Sequence, residues 1–322
     1  MASSNYLLKV EGLKAFYRAG SSRVKAVDDV SIAVKKSEIL GIAGESGCGK
    51  STFALAVLRL LKPPGYIEDG EILLNGVDIL KLSDKELKKV RWSRMSYIPQ
   101  SSMNALNPVM RTEEQINDAI LTRGRKMPKA ELRKRVGELL ADVGLAPEVA
   151  RMYPHELSGG MRQRVIIAMA IALNPELVVA DEPTTALDVV VQRGILQMLS
   201  EIRWKFGSSI VVITHDMAAQ AEIVDRLAIM YAGKIVEAGG VKEVFDEPLH
   251  PYTHALISSV PSIKVKKELL GLSGLPPDLR NPPSGCYFHP RCSKSIRNRC
   301  EIEEPEFVEI EKDRFVACHL CG

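Results

Sequence analysis

The sequence has no membrane-length hydrophobic run. The longest unbroken apolar stretch in its 322 residues, Val165 to Leu173, is nine residues long, against the roughly 20 needed to cross a bilayer as a helix. Its N-terminus, MASSNYLLKVEG, lacks a basic start followed by an apolar core, so no secretory leader is expected and the chain reads as intracellular. It carries little excess charge. The balance of 43 basic and 40 acidic residues leaves +3, too small for the electrostatic footprint of a nucleic-acid binder. Internal repeats and long heptad insertions are absent as well. An intracellular setting in turn argues against a disulfide framework for the six cysteines. What is present is an ordinary globular composition, 46% apolar and 26% charged, in a chain long enough for a sizeable core and more than one structural unit.

The stretch EILGIAGESGCGKST reads as a strand over 38–43, a glycine-rich turn and a helix starting near Lys50. Gly44, Gly49, Lys50 and Ser51 fit G-x-x-x-x-G-K-[ST], the phosphate-binding loop. The glycines permit backbone dihedrals that aim successive N–H groups at phosphate oxygens. Lys50 adds a point charge for the β- and γ-phosphates, and the Ser51 hydroxyl can ligate Mg²⁺. The following helix presents its positive dipole end to the same anion. Ser46, Gly47, Cys48 and Thr52 complete the expected cradle for ATP. Cys48 reads either as a small residue tolerated where the backbone does the binding or, beside Lys50 and a helix N-terminus, as a thiol biased toward thiolate.

A nucleotide site also needs carboxylates, and ELVVADEPTTALD supplies two at the end of a short apolar strand. Asp181 would bind Mg²⁺ through water and Glu182 would polarise the attacking water. An acidic pair at a strand end is also ordinary solvation, so these assignments lean on their neighbours.

Between and beyond these stretches lies ELSGGMRQRVIIAMAIALNP, in which Ser158 reads as an N-cap, Gly159 and Gly160 open the backbone and an apolar helix follows. Leu157-Ser158-Gly159-Gly160 resembles the signature motif of the ATP-binding cassette (ABC) ATPases. The other elements follow in that family's order: Gln100 in YIPQ resembles the Q-loop, Ala186-Leu187-Asp188 the D-loop, and His215 in VVITHD the switch histidine. Tyr17 resembles the aromatic that stacks on adenine, although Phe16 is adjacent and a strand aromatic also serves a core. The resemblance implies that Gln100 joins Ser51 and Asp181 at Mg²⁺, and that Glu182 and His215 carry hydrolysis. It implies, too, that Ser158, Gly159 and Gly160 face the γ-phosphate of a second cassette across an ATP-glued dimer, with Asp188 coupling the two sites.

Strand-like segments at 6–13, 25–34, 38–43, 70–75, 95–99, 177–181, 209–214 and 226–238 predict an α/β fold. The expected architecture is a RecA-like P-loop core with an antiparallel β edge and an inserted helical subdomain over about 105–165. In that insertion Leu132, Val136, Leu139, Leu140 and Val143 keep helical spacing. In the family this subdomain and the Q-loop form the groove that accepts a short permease helix. The expected division is a cassette over 1–260 and a small cysteine-rich extension over 261–322, entered through the basic IKVKK and the proline-rich GLPPDLRNPPSG.

HPYTHAL and the tail LPPDLRNPPSGCYFHPRC resemble the peptide-importer branch of the family, whose members serve dipeptide, oligopeptide and nickel uptake and, in some cases, sugar oligomers. That resemblance implies a peripheral ATPase on the cytoplasmic face of the cell membrane. Its partners would be a second cassette, identical or homologous, two integral-membrane permeases and an extracytoplasmic binding protein that chooses the cargo. Two alternatives stay open: a cassette ATPase with a metal cluster acting on ribosomes or nucleic acid, and a stand-alone metal-sensing module. The former usually carries two cassettes or long insertions, which this chain lacks.

Cys286, Cys292, Cys300 and Cys318 follow C-x₅-C-x₇-C-x₁₇-C. Structural zinc favours short C-x₂₋₄-C knuckles, and only Cys318-x₂-Cys321 has that form. Long uneven spacings suit a cubane, whose corners lie farther apart than four ligands on one zinc. The spacing also matches the iron–sulfur tail of some peptide-importer ATPases. One [4Fe–4S] cluster on these four cysteines is the expectation, with Zn²⁺ as the alternative and Cys321 as a competing fourth ligand.

Overall fold

The structure is a computed structural model that describes residues 5–100, 105–121, 127–259 and 274–321. The basic IKVKK and the expected domain boundary near 260 lie outside the described residues. The chain divides into two compact units, interleaved in sequence.

One unit gathers residues 8–34, 40–80 and 214–322. An antiparallel sheet is built in the order Ser22–Lys35, Tyr6–Ala19, Gly65–Leu74, Val77–Asp78. Tyr6–Ala19 and Gly65–Leu74 pair from Leu8↔Leu74 to Tyr17↔Gly65, with a register shift between Glu11 and Lys14. Gly70 sits opposite that bulge at φ 113, where a Cβ would lie 2.6 Å from the Leu13 Cα, so the close approach requires glycine.

In the same unit Ile39–Ala43 runs parallel to Arg226–Tyr231, which turns back antiparallel into Lys234–Gly240. The sequence predicts a single strand over 226–238. The structure breaks it at Ala232 (φ 47) and Gly233 (φ 87), the two left-handed positions of a two-residue hairpin turn. The tail extends this hairpin. Arg314–Val316 pairs with Lys234–Gly240 through Glu237↔Val316 and Ala238↔Phe315, and Val308–Glu311 pairs outside it. Phe288 from the cysteine-rich stretch is buried with Tyr231 and Tyr252, ring centroids 5.2 and 5.4 Å away. An aromatic so placed contributes about 1.5–3 kcal/mol by burial, so the described tail shares this unit's core.

The other unit gathers residues 1–7, 35–39 and 81–213. Met95–Ile98, Leu177–Asp181 and Ser209–Ile213 lie parallel in that order. Leu177–Asp181 and Ser209–Ile213 are buried at every residue, as strands of a parallel sheet are when both faces are covered. The described residues between 105 and 171 form helices and turns. Thr112–Leu121, Lys129–Asp142 and Gly159–Ile171 are the helices, and Leu132, Val136, Leu139 and Leu140 are buried as their spacing predicts. Val189–Phe206 follows and ends on Gly207 at φ 67.

Candidate active site

The phosphate loop lies in the first unit, between Ile39–Ala43 and the helix Lys50–Val57. Two of its glycines are fixed by their surroundings. A Cβ on Gly44 would stand 2.1 Å from the Met230 carbonyl oxygen, and one on Gly49 1.9 Å from that of Ala26. Both adopt positive φ, 153 and 111. The loop thus presents its backbone by pressing against two neighbouring strands that exclude any side chain there. Lys50 is 6% exposed. Its ammonium donates to the Gly44 and Glu45 carbonyls at 2.7 and 2.9 Å and approaches the Cys48 sulfur at 3.7 Å, so a strong cation is held at the loop's centre. Ser51 and Thr52 occupy the first turn of the helix.

Burial pushes the Cys48 thiol above its ordinary value, and the nearby Lys50 charge only partly offsets this. Of the two readings of Cys48, burial favours the small residue over the thiolate-biased one: desolvation outweighs the cation. Tyr17, rather than Phe16, faces the loop helix. Phe16 is buried against Tyr66, while the half-buried Tyr17 places its hydroxyl 3.3 Å from Thr52 Oγ1. His215 is exposed in the segment after Ser209–Ile213. Beside it the Asp216 N–H donates to Thr214 Oγ1 at 3.0 Å, and the Asp216 carboxylate caps the next short helix.

In the second unit, Asp181 ends its strand buried at 1% exposure and accepts from the Tyr97 hydroxyl at 3.2 Å. Burial first, and the Asp181 charge second, push the Tyr97 phenol up. Glu182 sits at φ 46, a left-handed conformation that a glutamate adopts only when its surroundings impose it. Its N–H donates to the Ile213 carbonyl at 2.8 Å. One carboxylate oxygen accepts from Gln100 Nε2 at 3.0 Å and from Thr185 Oγ1 at 2.8 Å. Q-loop and carboxylate therefore meet directly.

Ser158 is the N-cap its sequence predicts, its hydroxyl accepting from the Met161 N–H at 3.3 Å. A Cβ on Gly160 would come 2.7 Å from a Val191 methyl, so the signature turn packs closely on the helix after the D-loop. Asp188 caps that helix through the Val191 N–H at 3.0 Å. Two supports were not read from the sequence. Arg162 Nε donates to the Pro154 and Leu157 carbonyls at 2.7 and 3.1 Å. Gln192 Nε2 donates to those of Thr184 and Leu187 at 3.3 and 3.0 Å. Each locks a glycine- or acid-bearing loop from one helical turn beyond it, where a polar residue on a helix carries no motif.

The tail cysteines return to the first unit. Charge on Cys292 or Cys300 bears on Cys286, and charge on Cys321, Cys286 or Cys292 bears on Cys318, so the five tail sulfurs share one neighbourhood. Each of the four expected ligands accepts a backbone N–H: Cys286 from Phe288 and His289, Cys292 from Lys294, Cys300 from Ile296 at 3.3 Å, and Cys318 from Leu320. Burial pushes the Cys286 and Cys318 thiols up to about 11 and about 12. Cys321 directs its sulfur to the Leu249 carbonyl at 3.8 Å and is also hydrogen-bonded to Cys318. Among the described residues no three His, Cys, Asp or Glu side chains are grouped so as to hold a metal ion as they stand. No described helix is long and apolar enough to cross a membrane.

Residues 27–185 match the ABC transporter family, and residues 236–300 match the oligopeptide/dipeptide transporter C-terminal region. The chain is 39% identical over 316 residues to the dipeptide transport ATP-binding protein DppD of Caldanaerobacter subterraneus, covering 98% of this chain and 97% of that one. It is 44% identical over 306 residues to the oligopeptide transport ATP-binding protein OppD of Bacillus subtilis, covering 94% and 85%. The dimeric structure of an ATP-binding cassette bound to ADP and Pi superposes with a TM-score of 0.66 at 30% identity, covering 73% of this chain and 98% of the cassette. Phosphate loop, signature turn, acidic strand end and tail together are matched at full length, and the chain belongs to the ABC transporter ATPases, in the branch of dipeptide and oligopeptide transport ATP-binding proteins.

Proposed function

We propose that the chain is the energy-coupling ATPase of a peptide importer. MgATP binds on the backbone of residues 44–49, with Lys50 on its β- and γ-phosphates and Tyr17 on its adenine. Ser51, Asp181 and Gln100 serve Mg²⁺, which screens phosphate charge. Glu182 accepts the proton of the attacking water, and His215 steadies the γ-phosphate as it leaves. Ser158, Gly159 and Gly160 close over the nucleotide of a second cassette, identical or homologous, and Asp188 links the two sites. The observation that carries this reading is the glycine loop itself, whose Gly44 and Gly49 are packed too tightly for a Cβ while Lys50 lies inside the turn. ATP-driven closure of residues 1–260 on a partner cassette would move two membrane permeases, fed by an extracytoplasmic binding protein, from the cytoplasmic face of the membrane. Di- and oligopeptides are the proposed cargo, since relatives across nearly the full chain bear those names. Vesicles holding the assembled transporter should take up labelled dipeptide only with internal MgATP. Uptake that ignores internal ATP removes the energy-coupling role, and ATP-driven uptake of nickel or sugar oligomers alone reassigns the cargo.

The extension over 261–322 is proposed to carry a [4Fe–4S] cluster on Cys286, Cys292, Cys300 and Cys318. The donor set fits. Four neighbouring thiols each receive an N–H, the pattern that stabilises thiolates bound to iron. Zinc would need all four sulfurs within about 3.8 Å of one another, the edge of a tetrahedron with 2.3 Å bonds. Cys318, which completes the family spacing, is proposed as the fourth ligand, with Cys321, whose thiol is hydrogen-bonded to it, as the competitor. The cluster would cross-link the tail and could exchange one electron; it takes no part in hydrolysis. Protein purified without air should carry about four irons per chain and lose them on Cys318→Ser but not on Cys321→Ser. One zinc and no iron in such protein would overturn the assignment.

A further inference from the structure

Glu45 is a carboxylate inside an anion-binding loop, immediately after Gly44. Such a charge opposes the purpose of the loop, and three contacts restrain its residue. Its N–H donates to the Tyr252 hydroxyl at 2.9 Å. Its carbonyl accepts from Lys50 at 2.9 Å. Its carboxylate takes both arms of a guanidinium, Arg291 Nη1 at 2.7 Å and Nη2 at 3.0 Å. That arginine comes from the tail, one residue before Cys292. Its side chain is 5% exposed against 23% for Glu45. It also lies over the Tyr231 ring, 5.7 Å from the centroid, with Nη1 3.4 Å from the hydroxyl. A planar fork on a planar carboxylate fixes direction as well as charge, and the Tyr231 contacts keep the fork from following any movement of Glu45.

We infer that Arg291 is a positioning residue of the ATPase: it neutralises Glu45 and holds that carboxylate out of the phosphate cradle, so that the cysteine-bearing tail sets nucleotide affinity. This rests on the proposed binding of MgATP at residues 44–51 and goes beyond it, because no tail residue belongs to the cassette motifs. The tail is tied to the same unit at further points, among them the Lys25 N–H to the Leu279 carbonyl at 3.0 Å and the Tyr287 hydroxyl to Asp28 at 2.8 Å. Neither hydrogen bond involves Arg291 or the Glu45 carboxylate, so loss of Arg291 releases Glu45 while leaving these anchors of the tail in place. Loss of the tail's internal cross-link would act on nucleotide affinity by the same route.

The test measures MgATP affinity of the full chain and KM against kcat of the assembled transporter. Arg291→Met is expected to raise Kd and KM about tenfold, equivalent to ~1.4 kcal/mol, with kcat within about threefold of wild type. Adding Glu45→Gln, which removes the charge that Arg291 restrains, is expected to recover most of that affinity. An unchanged Kd in Arg291→Met overturns the inference. So does a double variant as weak as the single one, since Arg291 would then serve only the folding of the tail. If Arg291→Met does not fold, Arg291→Lys keeps the charge and loses the fork; a rise of about threefold, cancelled by Glu45→Gln, supports the inference, and no rise overturns it. Wild-type protein that binds no MgATP, or Lys50→Ala that binds it equally well, defeats the nucleotide reading itself and the inference with it.

Discussion

Replacing Glu182 by glutamine tests the proposed chemistry at one atom. The side-chain oxygen that accepts from Gln100 Nε2 at 3.0 Å and Thr185 Oγ1 at 2.8 Å faces two donors. A glutamine must therefore turn its carbonyl oxygen to them and its amide nitrogen to the position of the other carboxylate oxygen. The backbone at φ 46 costs glutamine no more than glutamate, and the Ile213 contact is main chain. Shape, hydrogen bonds and strain all survive; the proton acceptor does not. General-base catalysis contributes about 10²–10⁴ in rate, or roughly 2.7–5.4 kcal/mol at 1.36 kcal/mol per decade. Phosphate release by an assembly in which both cassettes carry the change should fall at least ~100-fold. Bound MgATP and the closed dimer should persist, read by nucleotide retention on gel filtration. Turnover within about tenfold of wild type would remove Glu182 from the base's role. Turnover lost together with ATP binding would make it a structural residue of the site.

Gly49→Ala should abolish measurable ATP binding, because its Cβ would meet the Ala26 carbonyl oxygen at 1.9 Å. Gly47→Ala meets nothing within 4 Å and should cost only about 1–2 kcal/mol of backbone strain in thermal unfolding; equal effects would refute the packing argument. Ser158→Arg should leave ATP binding to the isolated subunit nearly intact, lose about 1 kcal/mol of helix capping, and stop turnover in the assembly. ATP affinity lost as severely as in Lys50→Ala would refute the cross-dimer arrangement. Cys48 should alkylate slowly at neutral pH, since burial holds its thiol protonated, and more slowly still with MgATP. A rate equal to that of a free thiol would show that the loop opens in solution.

Much of the cassette is legible in sequence because its chemistry forces residue types at fixed intervals. Gly44 and Gly49 have no alternative where a Cβ would meet a carbonyl oxygen at about 2 Å. Fully buried strands such as Leu177–Asp181 must be apolar throughout before ending in acids. Ser158 announces its helix as a cap, whereas the capping by Asp188 emerges only in the structure. The hairpin at Ala232-Gly233 was hidden because the apolar residues 227–231 and 235–236 press close on either side of it, and alanine in a left-handed turn carries no turn signal of its own. Val308–Glu311 and Arg314–Val316 are four and three residues long, too short for a strand period to mark them. Their pairing comes from the open edge of Lys234–Gly240, a property of the folded sheet.

At the site, motifs name the residues proposed to face the nucleotide and omit those that hold them. Arg162, Gln192 and Tyr97 lie on regular elements, where a polar side chain with a buried partner looks like any solvated one. Glu45 gave the one readable signal: an acid within a loop that binds anions is a charge conflict, and such a conflict demands a cation nearby. The sequence could pose that demand without saying which of its 43 basic residues answers it. The answer lies 246 positions away, brought there by Phe288 burying itself against Tyr231 and Tyr252. Three residues after that phenylalanine, Arg291 has no choice of neighbourhood. The same apolar contact that folds the tail onto its unit therefore delivers the charge that answers Glu45.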